Sequence, residues 1–308
     1  MFAGEIMDKQ SVSFDVLIAG AGISGLTTAI ALQQKGIKCL IFEKKEYIYE
    51  KVCGGGVYYK ALDLLQSLNI PIYEFIAQHA DTIVGVQTIT SDGSYVKKLL
   101  PSGAVSAGVL RKDFDTFLLK QAIHYGTQVK FQTPASMPNI DEYGQYRLAG
   151  YAGKKFVSAI GARGFSNSIT QLAQQSFAIS AILSNNLTLD RSNFYYWITN
   201  EDNDEYFWSF PVGKTKWNIG YYERYYHRYN IAEKFSSALS KYISPHLKEP
   251  LQYFMQPRCA FLGTRDWRSE YLCDGLGDFA GLTNPVNGGG ILPAIRSALE
   301  YAQRHEKE

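Results

Sequence analysis

A chain of 308 residues, 46% of them hydrophobic, can bury a sizeable core and has room for two lobes. Its 31 basic and 29 acidic residues leave a net charge of +2 with both signs dispersed, which excludes the footprint of a nucleic-acid binder. Four cysteines (Cys39, Cys53, Cys259 and Cys273) lack CxxC spacing and are too few for a disulfide scaffold, so a reducing, cytoplasmic compartment is expected. Residues 1–13 carry Glu5, Asp8 and Lys9 and lack the apolar core of a signal peptide. No run reaches the roughly 18 apolar residues of a membrane span, so any membrane contact would be peripheral. Aromatic content is the unusual feature: 22 Tyr, 17 Phe and 4 Trp, much of it between Phe194 and Tyr229.

Asp15 to Ala19 reads as a short buried strand, followed by the GxGxxG turn Gly20-Ala-Gly-Ile-Ser-Gly25 and a helix from Leu26 to Lys35 that Gly36 ends. Ile37 to Phe42 is a second apolar strand closed by Glu43, which completes the order of a dinucleotide-binding βαβ unit. Gly20 makes the tight turn, Gly22 lets backbone approach a pyrophosphate, and Gly25 lets helix and strand pack closely. The helix start, with Ser24 in its first turn, offers free N–H groups and partial positive charge to phosphates. Glu43, followed by Lys44, is placed to accept hydrogen bonds from the adenosine ribose hydroxyls. This motif alone does not choose between FAD and NAD.

Further along, the loop Cys53-Gly-Gly-Gly56 leads into an amphipathic helix, Tyr58 to Leu68, that Asn69-Ile-Pro71 stops. Thr82 to Leu100 reads as two strands joined at Asp92-Gly93, and Leu110 to Tyr125 as a helix capped by Gly126. From Ser176 the texture changes to aromatic, alternating strands: Phe177 to Leu183, Phe194 to Ile198, Tyr206 to Phe210 and Trp217 to Tyr222. A helix from Ile231 to Tyr242 and a strand from Leu251 to Phe261 follow, and together these elements predict a largely antiparallel second lobe.

Near the C-terminal end, Gly275-Leu-Gly277-Asp278 and Asn284-Pro285-Val-Asn-Gly288-Gly289-Gly290-Ile291 precede an amphipathic helix running to His305. Asp278 is placed to hold a polyol hydroxyl. The glycine-rich helix start is placed to aim N–H groups at the N1/C2 carbonyl edge of a flavin ring, which would favour the reduced cofactor.

With GAGISGL, Arg111-Lys-Asp-Phe-Asp115, GDFAGLTNP and NGGGI in this order, the chain resembles FAD-dependent oxidoreductases of the para-hydroxybenzoate hydroxylase fold. Within them, Cys53-Gly-Gly-Gly56 and Tyr206-Phe-Trp208-Ser-Phe210-Pro211 resemble the CGGG and YxWxFP motifs of the geranylgeranyl reductase family. The resemblance implies an α/β fold: a Rossmann-like FAD-binding domain (GR2-type) over 1–80, 101–170 and 262–308, with a mainly antiparallel substrate domain over 81–100 and 171–261. It also implies that Gly20, Gly22, Ser24, Gly25, Glu43 and Lys44 hold the ADP half of FAD and that Arg111 sits near the pyrophosphate or ribityl chain. Gly277 and Asp278 would hold the ribityl chain. Cys53, Gly54, Gly55, Pro285, Gly288, Gly289, Gly290 and Ile291 would lie by the isoalloxazine, and Tyr206, Trp208, Phe210 and Pro211 would line the substrate cavity.

Two departures from the family stand out. Arg163-Gly164 replaces a common Asp-Gly pair, and the sequence ends about one helix after Gly290, implying that one wall of the substrate tunnel is open, shorter or supplied by a partner. The activity implied is reduction of carbon–carbon double bonds in an isoprenoid or other long apolar substrate, with electrons from NAD(P)H or a donor protein. An unpolarised alkene needs a proton at one carbon as hydride arrives at the other. Cys53 is the first candidate donor and Tyr206 its rival, with Trp208 stabilising positive charge through its π-face. Trp197, Tyr195 and Phe194 read as packing, the stretch from Tyr221 to Tyr229 as a solvated strand end, and the five dispersed histidines as neither metal site nor triad. The alternatives are a monooxygenase or halogenase on an aromatic or carrier-bound substrate, for which a WxWxIP motif with a committed lysine is expected, and a non-catalytic flavoprotein that binds lipid or a protein.

Overall fold

A computed structural model describes residues 13–162, 164, 174–200, 205–224, 230–264, 273–284 and 286–305. Arg163, Pro285 and the stretch 225–229 lie outside the described residues.

Two seven-stranded sheets and one of three strands form the framework. In the first sheet, the strands Gln128–Lys130, Cys39–Phe42, Ser13–Ala19, Tyr151–Ser158 and Asp274–Gly275 run parallel in that spatial order. Tyr146–Leu148 and Asn139–Ile140 extend it antiparallel at one side. Phe14, Val16, Leu17, Ile18 and Ala19 are all buried, as a parallel strand covered on both faces requires. The helix Ile23–Gln34 is buried over Ile23 to Leu32, which explains a sequence that is small or apolar all round and not striped. Gly36, at φ 74°, ends it.

The second sheet runs Tyr253–Thr264, Gln174–Leu183, Lys216–Glu223, Glu205–Val212, Asn193–Asn200, Gly85–Ile89 and Tyr95–Leu99. The Asp92-Gly93 hairpin joins it through a parallel pairing of Gly85–Ile89 with Asn193–Asn200. Alternation gives its central strands two apolar faces. One face carries Ile179, Tyr195, Trp197, Phe207, Trp217 and Tyr221 under the helix Ile231–Tyr242. The other carries Phe194, Tyr196, Tyr206, Trp208, Phe210 and Tyr222, so Phe194, expected as packing together with Tyr195 and Trp197, lies on the opposite face from them.

One helix escapes the sequence reading. Pro71 is the N-cap of a helix, Ile72–His79, although Asn69-Ile-Pro71 reads only as a stop signal. Proline both ends one helix and opens another, because its fixed φ suits a first turn. The helices Tyr59–Gln66, Arg111–His124 and Ile291–Arg304 fall within one or two residues of their expected bounds.

Gly220 sits directly across from Trp208 in the second sheet, and a Cβ there would collide with the indole ring and lie 2.5 Å from the Ile179 carbonyl oxygen. Replacing Gly220 by Ala is therefore expected to destabilise the protein by about 1–3 kcal/mol through overpacking. Thermal unfolding checks the loss, and near-UV circular dichroism is expected to show the displaced tryptophan.

Candidate active site

The glycine turn is built from close contacts. Gly20, at φ 100°, donates its N–H to Phe42 O at 2.8 Å, and a Cβ on it would lie 2.6 Å from Ala159 O. A Cβ on Gly25 would collide with Gly20 O, so these two glycines bring helix and strand together. Gly22 is different: the one atom near its hypothetical Cβ is Lys51 Nζ, 3.6 Å away. Open space at the N-cap of a helix with no side-chain cap suits a phosphate, and a lysine overhangs it. Glu43 accepts the Ala21 N–H on Oε2 and the Lys45 N–H on Oε1, each at 2.9 Å. Its carboxylate thus pins the turn and keeps lone pairs for ribose hydroxyls. Lys44 is exposed.

Arg111 reads from sequence as a cation badly placed at a helix start, which argues for a nearby anion. That anion is Asp115 of its own helix, bonded to Arg111 at 3.0 Å and to Lys51 at 2.7 Å. The helix start itself is occupied by Glu50, whose carboxylate accepts the N–H groups of Arg111 and Lys112 at 2.9 and 3.1 Å. Burial raises the pKa of Asp115, but Arg111 and then Lys51 outweigh that and hold it below the ordinary carboxylate value.

The second glycine segment docks on the first. Ser24 Oγ occupies the space that a Cβ on Gly277 (φ 54°) would fill, and Gly277 donates its N–H to Ser297 Oγ at 3.1 Å. Asp278 accepts the Thr283 hydroxyl at 2.6 Å and lies 3.0 Å from a hypothetical Cβ on Gly290. Gly290 is the N-cap of the last helix, which has no side-chain cap and no acidic residue in its first turn. Two glycine-started helix ends without side-chain caps, at Gly22 and Gly290, therefore flank the joint formed by Ser24 and Gly277.

A cavity of about 330 Å³ opens beside Gly290. Its wall brings together Cys53, Gly54, Gly55 and Gly56 from one loop, Tyr206, Trp208 and Phe210 from one strand, and Gly288, Gly289, Gly290 and Ile291 from the last segment. Pro211 is buried and does not reach the cavity. Its alternation with Phe210 turns it to the other face, where its carbonyl fills the space beside Gly108. Trp208 Nε1 donates to Asn218 Oδ1 at 2.9 Å, and Asn218 Nδ2 donates to Cys53 O at 2.7 Å. One buried asparagine thus fixes both the indole and the glycine loop. Tyr206 stacks on Tyr222 with centroids 5.0 Å apart and donates its hydroxyl to Asn287 O at 2.7 Å.

Sequence reasoning did not single out Lys51, Tyr58, Tyr196, Asn218, Asn287 or Arg296, which complete the site. Two of them carried a readable signal: Asn218 is a polar residue in a buried aromatic strand, and Tyr196 shares strand parity with Phe194.

Fold and site together define a flavoprotein, with a phosphate-ready turn at one end and an uncapped helix start beside an aromatic cavity at the other. The comparisons agree. A profile of the FAD binding domain matches residues 13–177, more than half of the chain, so the chain belongs to that family and is an FAD-dependent oxidoreductase. It is 26% identical to the digeranylgeranylglycerophospholipid reductase of Methanosphaerula palustris, over 96% of this chain and 76% of the relative. The enzyme of the same name from Methanococcus vannielii is 25% identical, over 93% and 75%. Among solved structures, a geranylgeranyl bacteriochlorophyll reductase-like protein from Thermoplasma acidophilum superposes with a TM-score of 0.76 at 22% identity, covering 94% of this chain and 77% of that one. A flavin-dependent brominase does so with a TM-score of 0.74 at 19% identity, covering 94% and 78%.

Two predictions follow from the charged cluster. Lys51→Met is expected to weaken FAD binding about tenfold, with the deficit shrinking at high salt, because the cation faces the phosphate position. Titration of the apoprotein by flavin fluorescence quenching at two ionic strengths measures this. The second concerns Asp115, whose folded pKa lies below its unfolded value of about 3.9. Its contribution to stability is complete above that unfolded value and is lost as pH falls through the lower folded one. Denaturant unfolding between about pH 5 and 2 should therefore show a steeper acid loss in the wild type than in Asp115→Asn.

Proposed function

We infer that this protein is an FAD-dependent reductase that saturates carbon–carbon double bonds of an isoprenoid or similarly long apolar chain. The observation that carries the reading is the cavity in which the CGGG loop, the Y-x-W-x-F strand and the NGGGI helix start meet. When bound, FAD supplies the hydride from its reduced ring. The residues of the chain do the rest. The glycine backbone at 288–290 lets a flat ring approach, and the last helix offers its free N–H groups to the ring's electron-rich edge. Trp208, Phe210 and Tyr196 present apolar faces to a hydrocarbon and stabilise positive charge developing beside them. The name shared by the two archaeal relatives supports the same substrate class.

Among the described residues no helix is long and apolar enough to cross a membrane. The electrons would come from NAD(P)H or a donor protein.

The second reading, a monooxygenase or halogenase, draws on the brominase neighbour. Against a halogenase stands the stretch Tyr206 to Pro211, which departs from the WxWxIP pattern expected of one.

The deciding experiment takes the yellow protein, reduces it anaerobically with dithionite and supplies geranylgeranyl-chain lipids, with products read by mass spectrometry. A gain of two hydrogens per double bond supports the reductase. Oxygen-dependent hydroxylated or halogenated products would replace that reading with its rival.

A further inference from the structure

Reduction of an isolated alkene needs a proton as well as a hydride. Four groups with transferable protons line this one: the Cys53 thiol and the hydroxyls of Tyr58, Tyr196 and Tyr206. Two of them are otherwise engaged. Tyr206 donates its proton to the Asn287 carbonyl at 2.7 Å, a bond that ties the aromatic strand to the glycine segment. Cys53 uses its sulfur to accept the Gly55 N–H at 3.5 Å.

The remaining two form a pair. Tyr58 Oη and Tyr196 Oη lie 2.7 Å apart, close enough for a proton to pass between them. Tyr196 stands beside Trp208 in the strand register, with its ring 5.1 Å from Phe210 and 5.5 Å from Tyr206, in the middle of the aromatic wall. Tyr58, which immediately follows the CGGG loop and its Val57, is 36% exposed and rests edge-on against Phe194. Both tyrosines line the cavity, and the pair thus runs from the aromatic wall to a partly exposed side chain.

Resting on the reductase reading, we propose that Tyr196 is the catalytic proton donor of this cavity and that Tyr58 relays protons to it from solvent. The alkene's π pair forms a C–H bond with the Tyr196 proton, and the other alkene carbon accepts hydride from the reduced cofactor. The alkene gains two electrons and the cofactor loses two. The O–H bond of Tyr196 breaks, the resulting phenolate takes the Tyr58 proton, and Tyr58 takes one from water. Burial raises the pKa of Tyr196 well above the ordinary phenol value, so it stands protonated at neutral pH and its phenolate is promptly reprotonated. Such a relay supplies one proton per turnover.

The test uses the whole protein with its flavin, reduced by dithionite, and geranylgeraniol in D2O. The wild type is expected to place two solvent deuteriums in each saturated bond, one through the cofactor, because dithionite supplies electrons and no hydrogen, and one through the proton donor. Tyr196→Phe is expected to slow saturation by about 10²–10⁴-fold. Its flavin content, its rate of flavin reduction and its affinity for the saturated alcohol should stay unchanged, which a folding defect would not allow. Tyr58→Phe is expected to slow turnover less and to enlarge the solvent isotope effect, since reprotonation then limits the rate. A Tyr196→Phe protein that saturates at the wild-type rate, or a loss confined to Cys53→Ser or Tyr206→Phe, overturns the relay and leaves the reductase standing. A flavin-replete wild type that saturates no geranylgeranyl chain overturns both.

Discussion

The site depends on a contact in which one segment has no side chain where another has a hydroxyl. Ser24 Oγ, in the first turn of the first helix, fills the place that a Cβ on Gly277 would take. Gly25, one residue on, is pressed against the Gly20 carbonyl. The first glycine turn is therefore packed tightly on its inner side and left open on its outer side at Gly22. The same joint fixes where the last helix begins, because Gly277 is bonded to Ser297 within it. Two helix ends far apart in sequence thus acquire one relative placement from a few contacts that tolerate no added atom, a precision that interior packing density makes possible.

The aromatic wall rests on a comparable polar constraint. Trp208 packs against Gly220, and its N–H is held by Asn218, which also holds the Cys53 carbonyl. A buried indole N–H without a partner would carry a desolvation cost of about 1–3 kcal/mol, so Asn218 both relieves that cost and orients the ring. The wall and the glycine loop are consequently one hydrogen-bonded unit, not two surfaces that happen to face each other. Tyr206 adds the third side by binding the Asn287 carbonyl.

What could be read in the sequence was local. The glycine turn, Glu43, the hairpin at Asp92-Gly93 and the final amphipathic helix each carry their signal within a few residues, because backbone conformation and hydrophobic period are short-range properties. The helix Ile72–His79 stayed hidden because Pro71 has two opposite meanings at helix ends. Arg111 illustrates a different limit: an anion was rightly sought, but Asp115, one turn along the same helix, satisfies it. Lys51 and Tyr58 were beyond reach, since each matters through a partner more than 60 residues away, Asp115 and Tyr196 respectively. The faces of the aromatic strands were half legible. Alternation separates Phe194 from Tyr195 without saying which side meets a helix and which a cavity.

A shared fold does not decide among the chemistries that flavoproteins perform, since reductase-like and brominase structures superpose on this chain almost equally well. The cavity wall is more discriminating. It exposes electron-rich phenols and a thiol, Tyr58, Tyr196, Tyr206 and Cys53, around the place where a ring would react. A thiol moves readily up the oxidation ladder. Hydride and proton transfer leaves every one of them intact. The wall is thus chemically compatible with the double-bond reduction proposed above.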